Sequence, residues 1–143
     1  ILDTILTTKS LNCQEKNIQM TCVADGKALD FVNPMDICSI FGNALDNAIT
    51  SAEKVENPER RLIHVTVSQE KSFLRIKIEN SFQGVLKMKN QLPITTKEDR
   101  RYHGFGLKSM KEIAEKYKGS MTVSAKDGWF ELRILIPLPE SEK

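Results

Sequence analysis

The stretch IFGNALDNAITSAE, residues Ile40 to Glu53, reads as a helix with two distinct faces. Together with Ile37, the residues Ile40, Phe41, Ala44, Leu45, Ala48, Ile49 and Ala52 recur with the helical period and form a wide apolar stripe. Beside that stripe, Asn43, Asp46, Asn47 and Thr50 stand at i, i+3, i+4 and i+7, a second line of short polar groups. Asparagine and aspartate are mediocre helix formers, so a helix that carries them in a line needs a reason. A solvated face ordinarily carries Lys, Glu and Arg, and this stripe has no long charged side chain before Glu53. Short oxygen donors on a rigid rod suit a hard cation and a phosphate, because an asparagine carbonyl ligates Mg²⁺ without neutralising it. The ordinary alternative is a plain solvated face, and the stripe alone does not decide between the two.

Outward from this helix the pattern organises the chain. NPMD, residues 33–36, starts the helix well, with Asn33 as N-cap, Pro34 in the first turn and Asp36 near the positive end of the dipole. The helix runs to about Lys54. Upstream, residues 3–16 read as an amphipathic helix, and NIQMTCVAD alternates Ile18, Met20, Cys22 and Ala24 as a strand. Asp25-Gly26 marks a turn, and ALDFV reads as a short strand. Downstream, LIHVTVSQE and SFLRIKIEN alternate as two strands of a hairpin turning at Glu70-Lys71-Ser72. From Ser81 to Gly106 no period holds. FGLKSMKEIAEKYKG is then a helix ended by Gly119, with lysines in its last turns. SMTVSA and WFELRILI are two more strands around Lys126-Asp127-Gly128. These elements predict an α/β (α+β) two-layer sandwich, one mixed, mostly antiparallel sheet with helices on one face. A structureless stretch of roughly 20 residues inside a domain is uncommon, and such stretches often serve as lids or binding loops.

The bulk numbers exclude several classes. With 143 residues, 40% hydrophobic and 28% charged, the chain suits one compact domain. A formal net charge of +2 is too small to argue for nucleic acid or an anionic membrane as partner. The three cysteines, Cys13, Cys22 and Cys38, form no CxxC pair and read as reduced thiols of an intracellular protein rather than a disulfide framework or zinc site. No apolar run reaches the roughly 18 residues of a membrane span, and no signal peptide is visible. The chain opens without methionine, in mid-pattern, with Ile1, Leu2, Ile5, Leu6 and Leu11 at helical spacing. The expectation is a piece of a longer protein.

Two further stretches carry chemistry. In HGFGLKS, residues 103–109, Gly104 and Gly106 stand just before a helix, where a sharp turn frees the first helical N–H groups for an anion. The preceding loop carries Lys97, Arg100, Arg101 and His103, all able to reach phosphate oxygens, although any one of them is equally ordinary surface charge. In IKIENSFQG, residues 76–84, Asn80 ends a strand and Gly84 follows. Its amide can meet an adenine edge, and a turn-forming Asn-Ser pair reads the same way. His64 alternates with apolar neighbours and reads as a structural strand residue.

Together these pieces resemble, from about Asn17 to Pro137, the GHKL-type ATPase domain shared by histidine kinases, gyrase B and the mismatch-repair protein MutL. NALDNA looks like the N box, HGFGL like the second glycine box, and ENSFQG stands where the DxGxG box belongs, with Asn80 for its aspartate, Phe82 for its first glycine, and Gly84 retained. The closing DGWFELRILIPLP resembles the last strand of the family, without the threonine usual near the adenine. The resemblance implies ATP and Mg²⁺ as cofactors, with Asn47 as the metal ligand and Asn43, Asp46 and Asn47 as the catalytic set. It places the nucleotide against Asn43, Asn47, Asn80, Gly84, Ile94, Lys97, Arg101, His103, Gly104, Phe105, Gly106 and Leu107, with Ile78 among the apolar walls. The first box position is a water-activating glutamate in the gyrase and MutL branch and is Asn43 here, which favours a kinase whose nucleophile is a histidine on another domain. NALDNAI and the missing aspartate are similar to the quorum-sensing AgrC- and VirS-like sensor kinases. That resemblance divides the chain into the end of a dimerisation helix (1–16), an ATP-binding catalytic domain (17–139) and a charged tail (140–143). It implies upstream phospho-acceptor helices, a response regulator and a homodimeric, membrane-bound bacterial parent with this part in the cytoplasm. The alternatives are an anti-sigma-factor serine kinase and a degenerate nucleotide-binding or docking module.

Overall fold

The computed structural model describes residues 1–84, 88–89, 92–93 and 105–139. Its elements follow as α1 (Leu2–Glu15), β1 (Gln19–Ala24), α2 (Pro34–Glu53), β2 (Leu62–Glu70), β3 (Phe73–Ser81), β4 (Met88–Lys89), β5 (Leu92–Pro93), α3 (Phe105–Lys116), β6 (Ser120–Lys126) and β7 (Trp129–Pro137). Five strands form one sheet in the order β1-β2-β3-β7-β6. β1 and β2 run parallel, joined by the crossover through α2, and every other neighbouring pair in that sheet is antiparallel. This is the mixed, mostly antiparallel two-layer sandwich that the sequence predicts.

Strand periodicity decides which side of the sheet is covered. Ile63, Val65 and Val67 on β2, Leu74, Ile76 and Ile78 on β3, and Leu132, Ile134 and Ile136 on β7 are all buried in one core with the helices. The alternate residues, among them His64, Thr66, Ser68, Arg75, Lys77 and Arg133, remain half-buried on the opposite, open face. All eight residues of the apolar stripe on α2 are buried. Each large one stabilises the fold by about 1.5–3 kcal/mol through removal from water. α2 starts as its sequence implies, the Asn33 side chain accepting the Met35 N–H at 2.8 Å.

Four local expectations change. ALDFV forms no strand, because the Asp25 carboxylate accepts the Lys27 N–H at 3.2 Å and starts a short 3-10 helix, Gly26–Leu29, that buries Ala28 and Leu29. On β1, Cys22 and Ala24 are exposed despite the alternation, since β1 is an edge strand, with its far flank outside the sheet. On α1 and its N-cap, Leu2 and Cys13 are buried whereas Ile1 and Leu11 are exposed, so the apolar spacing misplaced two residues of the inner face. Within the stretch that has no sequence period, β4 and β5 pair antiparallel through Met88–Pro93 and Lys89–Leu92.

The end of α3 is the most instructive case. Lys118, not Gly119, takes the left-handed conformation (φ 66°). Gly119 is needed for space, because a Cβ there would stand 2.2 Å from the Leu135 carbonyl oxygen of β7. The glycine therefore lets α3 turn into β6 directly against the sheet.

Candidate functional site

The polar line on α2 divides between two neighbours. At about 100° per residue, Asp46 lies about 60° to one side of Asn43 and Asn47 about 40° to the other. Asp46 faces α1, where it pairs with Lys9 at 2.5 Å, and about two turns on Glu53 pairs with Lys16 at 3.2 Å. The matched seven-residue spacing on both helices shows that α1 and α2 run parallel. Asn43 instead meets α3. Gly106 is buried there, and a Cβ on it would lie 3.2 Å from the Asn43 Cγ and Oδ1 atoms. The helix can bring its first turn this close only because position 106 has no side chain. Asn43 donates through Nδ2 to the Ser39 hydroxyl one turn earlier, at 3.3 Å.

Asn47 differs from its neighbours. Its Nδ2 is buried and has no hydrogen-bond partner among the described residues. Leaving such a group unpaired costs about 1–3 kcal/mol, so an external ligand is the natural partner for this amide. One turn before it on α2, Asn43 lies against the start of α3. The first-turn N–H groups of α3 at Gly106 and Leu107 have no intrahelical acceptor and sit at the positive end of the helix dipole.

Asn80 ends the inward row of β3 and is only 2% exposed. It stands in register between Ile63 and Phe130, and its Nδ2 donates to the Ser81 carbonyl at 2.9 Å. That bond uses one of the two Nδ2 hydrogens and fixes the orientation of the carboxamide. Gly84 has φ 98°, which an L side chain rarely adopts. Of the other residues expected at the site, Leu107 and Ile78 are buried. Ile94, Lys97, Arg100, Arg101, His103 and Gly104 lie outside the described residues, as does the Phe105 side chain. His64 lies on the open face as expected of a structural residue, its Nδ1 2.6 Å from the Thr21 hydroxyl and its ring against Trp129.

One cluster escaped the sequence. Asp36, read there only as a dipole partner, receives hydrogen bonds from the Tyr117 hydroxyl and the Lys116 ammonium, both at 2.5 Å. Burial opposes its charge, but those two hydrogen bonds and the lysine charge together hold its carboxyl below the usual range. The bond from Asp36 raises Lys116, and burial followed by the Asp36 bond raises Tyr117. The partners are 81 positions apart, so no local spacing could have revealed them.

A cleft of about 530 Å³ lies elsewhere, lined by Val55, Arg60, Leu62, Ser81, Phe82 and Trp129 among others. It includes none of Asn43, Asn47, Asn80 or Gly106, and the chemistry of the two asparagines outweighs its shape in locating the site. The described residues hold no group of three His, Cys, Asp or Glu side chains suited to a metal. The orphaned Asn47 Nδ2 is a donor and suits a phosphate oxygen; the carbonyl oxygen of the same amide is the atom that fits Mg²⁺, which keeps most of its ligands as waters and phosphate oxygens and needs few from protein.

Fold and site together define a two-layer α/β domain in which an asparagine-bearing helix meets a glycine-led helix N-terminus. The chain belongs to the GHKL domain family, whose model matches residues 32–137. Three nucleotide-free crystal forms of the catalytic domain of histidine kinase ThkA share the fold, with TM-scores of 0.73, 0.72 and 0.74. Their identities to this chain are 20%, 18% and 21%, over 97%, 95% and 95% of this chain and 92%, 89% and 90% of theirs. None of the curated proteins matches the chain.

Proposed function

We propose that this domain binds Mg-ATP and presents the γ-phosphate to a histidine on a separate helical domain, as the catalytic domain of a sensor histidine kinase. The observation that carries this is the buried Asn47 Nδ2 donor without a partner, which a phosphate oxygen would satisfy, one helical turn from the Asn43–Gly106 contact. Family membership and the shared fold with the ThkA catalytic domain agree with it. Asn47 would hold Mg²⁺, which when bound neutralises phosphate charge. The N–H groups of Gly106 and Leu107 would donate to phosphate oxygens at the helix N-terminus. Asn80, oriented by the bond from its Nδ2 to Ser81, would accept an adenine amino group through its oxygen. Asn43 has no basic carboxylate, so the site suits transfer to a nucleophile brought from elsewhere and relies on positioning and charge neutralisation.

Lys97, Arg101, His103, Gly104, Ile94 and Phe105 complete this reading as phosphate and adenine contacts, and α1 as the end of a dimerisation helix. The amide in place of the family aspartate, at Asn80, favours the quorum-sensing AgrC- and VirS-like branch, with a membrane-bound homodimeric parent and a response regulator as phosphate acceptor. Asp46, held by Lys9, has no direct part in this scheme. The test is a calorimetric titration with ATP, with and without Mg²⁺, beside Asn47→Ala. Magnesium-dependent binding that weakens in the variant is expected. Folded parent protein that binds nothing at millimolar ATP would sink the proposal for this domain.

A further inference from the structure

α2 and α3 touch at two places, and the second has no role in the scheme above. Near the start of α3, Gly106 stands against Asn43. At its end, Lys116, the last helical residue, and Tyr117, the next, hold Asp36 in the first turn of α2. The Tyr117 oxygen also accepts the Asn33 N–H at 3.0 Å, so one hydroxyl joins the N-cap of α2 to its buried carboxylate. The ring is fixed from the side by Phe31, edge-on at 6.2 Å. The two helices are therefore antiparallel, and the contacts are separated by about 16 Å along α3.

Between them the buried residues of α3 are Leu107, Met110 and Ala114, all apolar. Apolar packing sets the distance between two helices but is non-directional, and it resists sliding along the axis only through shape. Hydrogen bonds between unique groups resist it directly. At the other end the backbone of α3 at Gly106 lies so close to the Asn43 amide that no side chain fits between them, so a slide along the axis shifts the first-turn N–H groups directly past that amide.

We infer that Asp36 and Tyr117 are positioning residues: they set the axial register of α3 on α2, and so hold the first-turn N–H groups of α3 and the Asn43 amide in their nucleotide-binding geometry. The inference rests on the nucleotide reading of the site. Neither residue touches that site, so each acts through the two rigid helices.

The experiment uses Tyr117→Phe, which keeps the ring against Phe31 and removes only the hydroxyl, and Lys116→Met, which leaves the buried Tyr117–Asp36 bond in place. Each is compared with the parent by Mg-ATP calorimetry and by ¹⁵N NMR of the Gly106 backbone amide and the Asn43 side-chain amide without nucleotide. Tyr117→Phe is expected to bind Mg-ATP about threefold to tenfold more weakly. Both resonances are expected to move, and Lys116→Met should do the same to a smaller extent. A Tyr117→Phe protein that is less stable to heat, yet keeps the parent Kd and both resonances, overturns the inference and leaves the cluster a stability element only. If Tyr117→Phe does not fold, the same two readouts on Lys116→Met decide, unmoved resonances and Kd again overturning it. A parent that binds no nucleotide refutes the proposed function. The resonances then show separately whether the register claim survives.

Discussion

Replacing Gly119 by alanine isolates one close approach. The new Cβ would lie 2.2 Å from the Leu135 carbonyl oxygen, 2.9 Å from the Ile136 Cγ1 and 3.0 Å from its Cα. A carbon and a carbonyl oxygen rest at about 3.3 Å or more, so a displacement of about 1 Å must be absorbed. No flexible side chain can absorb it, because the nearest atom is backbone. Leu135 lies towards the end of β7 but is still paired on both sides, with Ser120 on β6 and Arg75 on β3, so its carbonyl cannot retreat without disturbing the sheet. Overpacking against such a rigid neighbour costs about 3 kcal/mol, the upper part of the usual range. The lower unfolded-state entropy of alanine returns about 0.4–1 kcal/mol. The net loss is about 2–3 kcal/mol, or a fall of about 1–2 M in the urea midpoint. Equilibrium urea unfolding followed by the fluorescence of Trp129, the single tryptophan, measures it. The companion change, Lys118→Gly, relieves a left-handed residue (φ 66°). It should stabilise by about 0.5–1 kcal/mol. Were Gly119 simply the helix cap, Lys118→Gly would bring no gain and Gly119→Ala would cost only about 1 kcal/mol. A midpoint for Gly119→Ala equal to or above the parent refutes the reasoning.

Gly106→Ala meets a movable side chain, Asn43, instead of backbone, so its urea midpoint should stay near that of the parent. Mg-ATP affinity should fall about tenfold as the Asn43 amide is pushed aside, and an unchanged calorimetric Kd would remove Asn43 from the site. Asp46→Asn breaks an ion pair that is half exposed on the acidic side, so stability should drop by less than about 1 kcal/mol. Nucleotide binding should be unaffected, and a large loss would return Asp46 to the catalytic set. Asp36 ionises below its ordinary 3.8 in the fold, so its contribution to stability is complete above that value and is lost as pH falls through the lower folded one. Thermal unfolding from about pH 6 to about pH 3 should therefore show a steeper acid loss in the parent than in Tyr117→Phe, and parallel curves would contradict the assigned hydrogen bond.

Much of the fold was legible because two periods carry it. The stripe from Ile37 to Ala52 and the alternations of β2, β3 and β7 name an inner face by local spacing alone, and burial follows that spacing residue by residue. Locality also explains the misses. β1 alternates correctly but lies at an edge, and the burial of an edge strand depends on what covers it. ALDFV has strand-like residues, but one Asp25 side-chain bond redirects the backbone.

For the site, the sequence by itself determined the chemical inventory: short amides on a helix, an asparagine at a strand end, and a glycine before a helix. Spacing along a helix reports direction only to within a broad sector, so it grouped Asp46 with Asn43 and Asn47. Only the tertiary structure decided which neighbour each one faces, α1 through Lys9 or α3 through Gly106. Only it could bring Asp36 to Tyr117, 81 positions away, or distinguish a glycine kept for its φ from one kept for room. Those outcomes depend on how elements distant in the chain pack together, and such contacts leave no period in the sequence.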